Sequence, residues 1–109
     1  MARDASNRAK VARADDIRQT RRVTTHPGKV LAQEFLVPLK VSASALAAEI
    51  GVPANRLTEM VAARRSMTAD TALRLSDRFG TSPEFWMNLQ TMYDLSKAVV
   101  ASRRGRKVA

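Results

Sequence analysis

Cysteine is absent from the 109 residues, which excludes a disulfide framework, a thiolate metal site and a thiol nucleophile, and suits a reducing compartment. Glycine and proline number four each, too few for the many turns of a stranded fold, and no alternating β-branched run suggests a strand. Aromatics make up 5% against a hydrophobic fraction of 45%, so the expected core is aliphatic and alanine-rich, as in helical proteins. Long apolar runs are also missing. The opening MARDASNRAKVARADD is charged throughout, so neither a secretory leader nor a membrane span is expected. GxSxG, P-loop and HExxH patterns do not occur. His26, the lone histidine, is followed by Pro27 and reads as a helix-start residue. Asp15 and Asp16 are adjacent, and adjacent side chains on a helix do not converge on one reacting atom. The expectation is a binding protein without catalytic residues, metal or cofactor.

What is present in excess is positive charge. The net charge is +9, and it is unevenly placed. Residues 1–25 hold seven Lys/Arg against three acids, and residues 101–109 hold four Lys/Arg and no acid. Residues 26–100 are nearly balanced. The chain therefore reads as one domain over 26–100, between a basic N-terminal arm (1–25), disordered or marginally helical from Arg8 to Arg18, and a basic, frayed C-terminal tail (101–109). A net positive balance invites a nucleic-acid partner. Three readings of the first arm stand side by side: a solubilising tail, a DNA-backbone extension and a segment that folds onto a protein partner.

Five helices are expected in the domain. Pro27 opens the first, which carries Val30, Leu31, Ala32 and Phe35 and stops where Pro38 blocks it. Ser42 and Ser44 are candidate caps for the second, with Leu46, Ala47 and Ile50, and Gly51 supplies positive φ at its end. Pro53 starts the third, with Leu57, Met60 and Val61 on one side, ending near Ala63. Thr68 caps the fourth, with Asp70 in its first turn, Ala72, Leu73 and Phe79 inward and Gly80 as stop. Ser82 and Pro83 start the fifth, which runs to about Val100.

The informative stretch is SALAAEIGVPANRLTEM, Ser44 to Met60. Ala47 stands four residues before Gly51, where a larger side chain would push two helices apart, and Leu46, Ile50, Val52, Leu57 and Met60 close the pair onto its neighbours. This is the pattern of a helix-turn-helix. At about 100° per residue from Ala54, the apolar side of the second helix centres near about 290° and the opposite side near about 110°. Asn55, Thr58, Glu59 and Ala62 lie on that opposite side, whose short side chains permit close approach to base edges. There Asn55 suits adenine, Glu59 suits cytosine N4 and Thr58 suits either, while Arg56 on the flank reaches a phosphate or a guanine. Ser44 before this helix, and Arg64, Arg65 and Ser66 after it, are placed to hold the DNA backbone. Candidate DNA-binding residues are thus Ser44, Ala54, Asn55, Arg56, Thr58, Glu59, Arg64, Arg65 and Ser66. The competing reading is a plain α-hairpin whose polar side is merely solvated.

From His26 to about Ala98 the sequence resembles the HigA antitoxins, a branch of the XRE-type (lambda repressor-like) helix-turn-helix proteins. The resemblance is carried by HPGKVLAQEFL, LAAEIGVPANRL, RRSMTADTALRLSDRFGTSPEFWMNLQ and the following YDL. Ser44 stands where many relatives carry a DNA-contacting glutamine, and Pro53 and Ala54 replace polar residues common at the start of the reading helix. The resemblance implies an all-α, five-helix lambda repressor-like domain. It also implies a cytoplasmic, nucleoid-associated antitoxin of a type II toxin-antitoxin system. Such a protein neutralises a RelE-like, HigB-type mRNA endonuclease and, as a dimer, represses its own operon at an inverted-repeat operator in double-stranded DNA.

On the fifth helix, Phe85, Trp86, Leu89, Tyr93 and Val100 form one apolar stripe, and Met92, Leu95 and Val99 an adjacent one. The first covers the core; the second is the candidate dimer interface, the alternative being one broad stripe buried within a single chain. Two other functions remain open at this stage: a free-standing XRE-type regulator without a toxin, and a helical protein-interaction module.

Overall fold

A computed structural model of the chain describes residues 16–108, and among these it contains helices and loops but no strand. Five α-helices follow one another: α1 (Pro27–Leu39), α2 (Ala43–Ile50), α3 (Ala54–Val61), α4 (Ala69–Phe79) and α5 (Pro83–Val108). No single helix among the described residues is long and apolar enough to cross a membrane. The chain divides into two compact units: Thr25–Tyr93, and one whose described residues are 16–24 and 94–108.

In the first unit the helix ends sit where the capping residues put them. His26 precedes α1 with extended backbone, and its Nδ1 accepts the Gly28 N–H at 2.9 Å. Its ring meets Tyr93 edge-on, with centroids 4.8 Å apart. Ser42 Oγ accepts the Ala45 N–H at 3.0 Å to cap α2, and Ser82 Oγ accepts the Phe85 N–H at 3.1 Å to cap α5. Ser44 lies inside the first turn of α2, two residues too late to cap it. Thr68 caps α4, and Gly51 and Gly80 close α2 and α4, each at φ +75°.

The differences from expectation have physical causes. Pro38 does not end α1. The helix widens to a π-helical turn over Ala32–Leu36, where the Val37 N–H reaches back to the Ala32 carbonyl, and the chain then runs on through Pro38 to Leu39. In this wider register the proline, which has no N–H to donate, enters without breaking the helix. Pro53 sits just before α3 rather than inside it. Leu73, expected inward, is 55% exposed, and Leu75 is buried in its place. The α4 stripe runs through Thr71, Ala72, Leu75, Ser76 and Phe79, from which Leu73 is displaced by about 120°. Phe85, also expected inward, is 38% exposed and lies edge-on against buried Trp86.

The core joins Leu31 and Leu36 of α1, Leu46 and Ala47 of α2, Val52, Leu57 and Met60 around α3, Met67, Ala72 and Leu75 near α4, and Trp86 of α5. α1 and α2 meet at 92°. α1 and α3 touch at backbone distance: a Cβ built on Gly28 would lie 1.8 Å from the Met60 carbonyl oxygen. Beyond that contact α3 terminates in a pair of backbone hydrogen bonds. The Ala63 N–H donates to Met60 O at 2.9 Å and the Arg64 N–H to Glu59 O at 2.8 Å, with Ala63 in the left-handed region at φ 61°. This is the Schellman geometry, here with alanine where glycine is usual.

In the second unit, Asp16 accepts from the Arg18 backbone and guanidinium and caps a single 3-10 turn, Ile17–Gln19. The hydrogen-bonded guanidinium holds the Asp16 carboxyl down to about 2. The earlier part of the expected Arg8–Arg18 helix lies outside the described residues. Thr24 donates its N–H to Ser96 Oγ at 2.9 Å, and Arg103 donates to the carbonyls of Thr20 and Arg18. α5 continues past Val100 to Val108. After Pro83 the sequence holds no further proline that would stop it.

Two substitutions test this account by chemical unfolding. Gly28→Ala drives a methyl group into the α3 backbone and is expected to remove about 2–3 kcal/mol or more, whereas Gly80→Ala, with open space around it but positive φ, costs about 1 kcal/mol. Equal losses would show that the close approach is not needed. Ala63→Gly relieves the left-handed alanine and is expected to add about 0.5–1 kcal/mol.

Candidate nucleic-acid interface

The two sides of α3 part company as a groove-reading helix requires. Leu57 and Met60 are fully buried, and Val61 is half-buried. On the other side Ala54, Asn55 and Ala62 are exposed, and Thr58 and Glu59 half-buried. Gly51 and the extended Pro53 set this orientation by turning the chain between α2 and α3, and buried Val52 pins the turn, its N–H on the Ala47 carbonyl at 3.0 Å. Ser44 is exposed in the first turn of α2. Arg64, Arg65 and Ser66 follow α3 and are all exposed.

Three charged members of this set, Arg56, Glu59 and Arg65, are already engaged. Arg65 donates to Glu59 Oε1 at 2.8 Å, and Arg56 donates to Asp70 Oδ2 at 2.6 Å. Asp70 also accepts from Arg74 Nε at 3.1 Å. Arg74, more strongly than Arg56, holds the Asp70 carboxyl below its ordinary range. Arg56, Arg65, Ser66, Thr68, Asp70 and Thr71 line a recess of about 150 Å³. The structure thus brings Arg56, from the first turn of α3, together with Arg65 and Ser66 of the segment after it, beside the start of α4.

Three members of this recess, Thr68, Asp70 and Thr71, carry no binding role in the sequence reading, where Thr68 and Asp70 serve only to start α4. Fourteen residues separate Arg56 from Asp70, a spacing that no helical period relates. Gln90 was also missed. Its side-chain oxygen accepts the Met67 N–H at 2.7 Å and so anchors the segment that follows Ser66. A polar residue one turn after Trp86, between the apolar Leu89 and Tyr93, was the available signal. On α5, Met92 and Leu95 are 38% and 43% exposed, and Val99 is half-buried. Among the described residues no cluster of His, Asp or Glu could hold a metal ion.

No family model matches the chain. Individual proteins do. Virulence-associated protein I of Dichelobacter nodosus is 48% identical over 73 residues, covering 67% of this chain and 68% of that protein. Antitoxin HigA-1 of Vibrio cholerae is 35% identical over 79 residues, 72% of this chain and 74% of that one. Among solved structures, the Pseudomonas aeruginosa antitoxin HigA with the higBA promoter is 40% identical and superposes with a TM-score of 0.70, over 77% of this chain and 89% of that one. Sequence, fold and the exposed polar side of α3 agree: the chain belongs to the HigA antitoxins, within the XRE-type (lambda repressor-like) helix-turn-helix proteins, and is not an enzyme.

Proposed function

We propose that the protein is a dimeric repressor and antitoxin of the bacterial cytoplasm. In this reading it binds an inverted-repeat operator upstream of its own operon and neutralises a RelE-like, HigB-type mRNA endonuclease. The observation that carries the DNA half is the division of α3: Asn55 and Ala54 exposed at the helix N-terminus, Leu57 and Met60 at zero exposure behind them. A helix so held enters the major groove with its N-terminal residues at the base edges. Asn55 pairs with adenine, Thr58 and Glu59 read neighbouring bases, and Ser44, Arg64, Arg65 and Ser66 hold phosphates. A relative whose structure was solved with promoter DNA supports the assignment.

The dimer half rests on α5. Met92, Leu95 and Val99 recur at helical spacing, and the first two are large apolar side chains in contact with solvent. Pairing them with a second copy about a twofold axis removes them from water; the operator reading requires the two copies of α3 to lie about 34–36 Å apart, one turn of DNA. The antitoxin half is supported by the identity with a named HigA antitoxin. It is tested by co-expressing the chain with the short gene beside its own: a stable complex that suppresses cleavage of mRNA is expected, and a neighbour without cleavage activity would leave a regulator alone.

Footprinting and binding titrations test the DNA contacts. Asn55→Ala is expected to cost about 1–3 kcal/mol at one operator position and to relax its preference, whereas Arg65→Ala weakens all sequences alike. Equal effects of both variants on operator and random DNA would assign the wrong side of α3. Leu95→Asp is expected to convert a dimeric mass in light scattering to a monomeric one and to abolish protection of the paired half-sites; a wild-type chain that is monomeric at micromolar concentration would refute the interface.

A further inference from the structure

The segment that carries Arg64, Arg65 and Ser66 is fastened at both ends, and the two fastenings come from different helices. In front, the Ala63 and Arg64 N–H groups bond to the Met60 and Glu59 carbonyls, so this end belongs to α3. Behind, the Met67 N–H donates to the side-chain oxygen of Gln90 on α5 at 2.7 Å, and Thr68 then caps α4. Gln90 is 5% exposed and Met67 3%, so this bond is shut away from water, where an amide left without a partner is costly. Three peptide steps separate Arg64 from Met67, a reach of no more than about 11 Å. A chain so short, held at both ends, has few conformations left. Arg64, Arg65 and Ser66 are nonetheless all exposed along it. The result is an ordered bridge that presents its side chains to solvent, with its rear support supplied by a glutamine of another helix.

We propose that Gln90 is a positioning residue for DNA binding. Buried as it is, it acts through Met67, keeping residues 64–66 in the conformation that grips the DNA backbone. Fixing the backbone of a single residue corresponds to about tenfold in an equilibrium constant. With the bridge held at both ends, that ordering is completed when the chain folds and is not subtracted from DNA affinity. Without the Gln90 oxygen the rear of the bridge is released, and its ordering falls on the binding step instead. Phosphates are alike in every sequence, so the effect is the same on matched and random DNA. The inference rests on the reading of Arg64, Arg65 and Ser66 as backbone contacts given above.

The test uses the full chain and anisotropy titrations, with one duplex from the region upstream of its gene and one scrambled duplex of the same composition. Gln90→Met fills similar space without an acceptor oxygen and is expected to weaken binding to both duplexes by about tenfold. In a chain that already carries Arg64→Ala and Arg65→Ala, little grip is left to position, and the same substitution is expected to cost less than about twofold. A glutamine that serves the fold alone would cost the same factor in both backgrounds. That result, or a loss confined to one of the two duplexes, overturns the proposal. Hydrogen exchange on the wild-type chain without DNA carries the test should the methionine variant not fold. The Met67 N–H is expected to exchange as slowly as the buried turns of α4, and exchange at the rate of an exposed loop overturns the proposal as well. Paired alanine substitutions at 64 and 65 that leave both affinities unchanged are a separate result, and they defeat the backbone-contact reading and this inference together.

Discussion

The placement of α3 depends on one contact without side chains, the approach of the Gly28 backbone to the carbonyl end of α3 at Met60. Any side chain at position 28 would hold the two helices apart by the thickness of a methyl group or more. With hydrogen there, α1 becomes a rigid shelf for the last turn of α3. The shelf is itself anchored: His26 caps α1 through the Gly28 N–H, Pro27 presets the first turn, and the His26 ring rests on Tyr93. Leu57 and Met60 can then be wholly buried while Asn55, two residues before Leu57, remains in solvent. The exposure of the polar side is a consequence of how tightly the other side is held.

Charge is arranged differently. The excess of basic residues lies in the terminal segments, whereas around α3 Arg56 and Arg74 share Asp70 and Arg65 pairs with Glu59. Exposed pairs of this kind contribute little to stability. Their effect is on conformation, since they hold long side chains in a few rotamers near the surface where α3 ends and α4 begins.

Much of this was legible because caps and turns are local. Ser42, Gly51, Thr68, Gly80 and the Ser82–Pro83 pair each act within a few residues, and each helix end they mark stands within a residue or two of its expected place. The apolar side of α3 was legible for the same reason, three residues at helical spacing. What escaped was nonlocal or alternative in register. Leu73 and Leu75 are chemically identical, and only the neighbours of α4 decide which is inward. Pro38 breaks an α-helix but not one that has widened before reaching it. Arg103 finds its carbonyl partners at Thr20 and Arg18, more than eighty positions away, and nothing near Val100 in the sequence reports that the helix continues. The Arg56–Asp70–Arg74 cluster belongs to the same class, since α3 and α4 must both be in place before its members meet.

The widened turn of α1 has an evolutionary corollary. In an ordinary helix, loss of a single residue rotates everything downstream by about 100° and scrambles which side chains reach the interior. Over Ala32–Leu36 the helix already contains one residue beyond the usual count for its turns. A one-residue gap is therefore tolerable there, returning the segment to common helical pitch while leaving Leu31 before it on the same side, and this stretch is where length variation among related chains should accumulate without disturbing the rest of the domain.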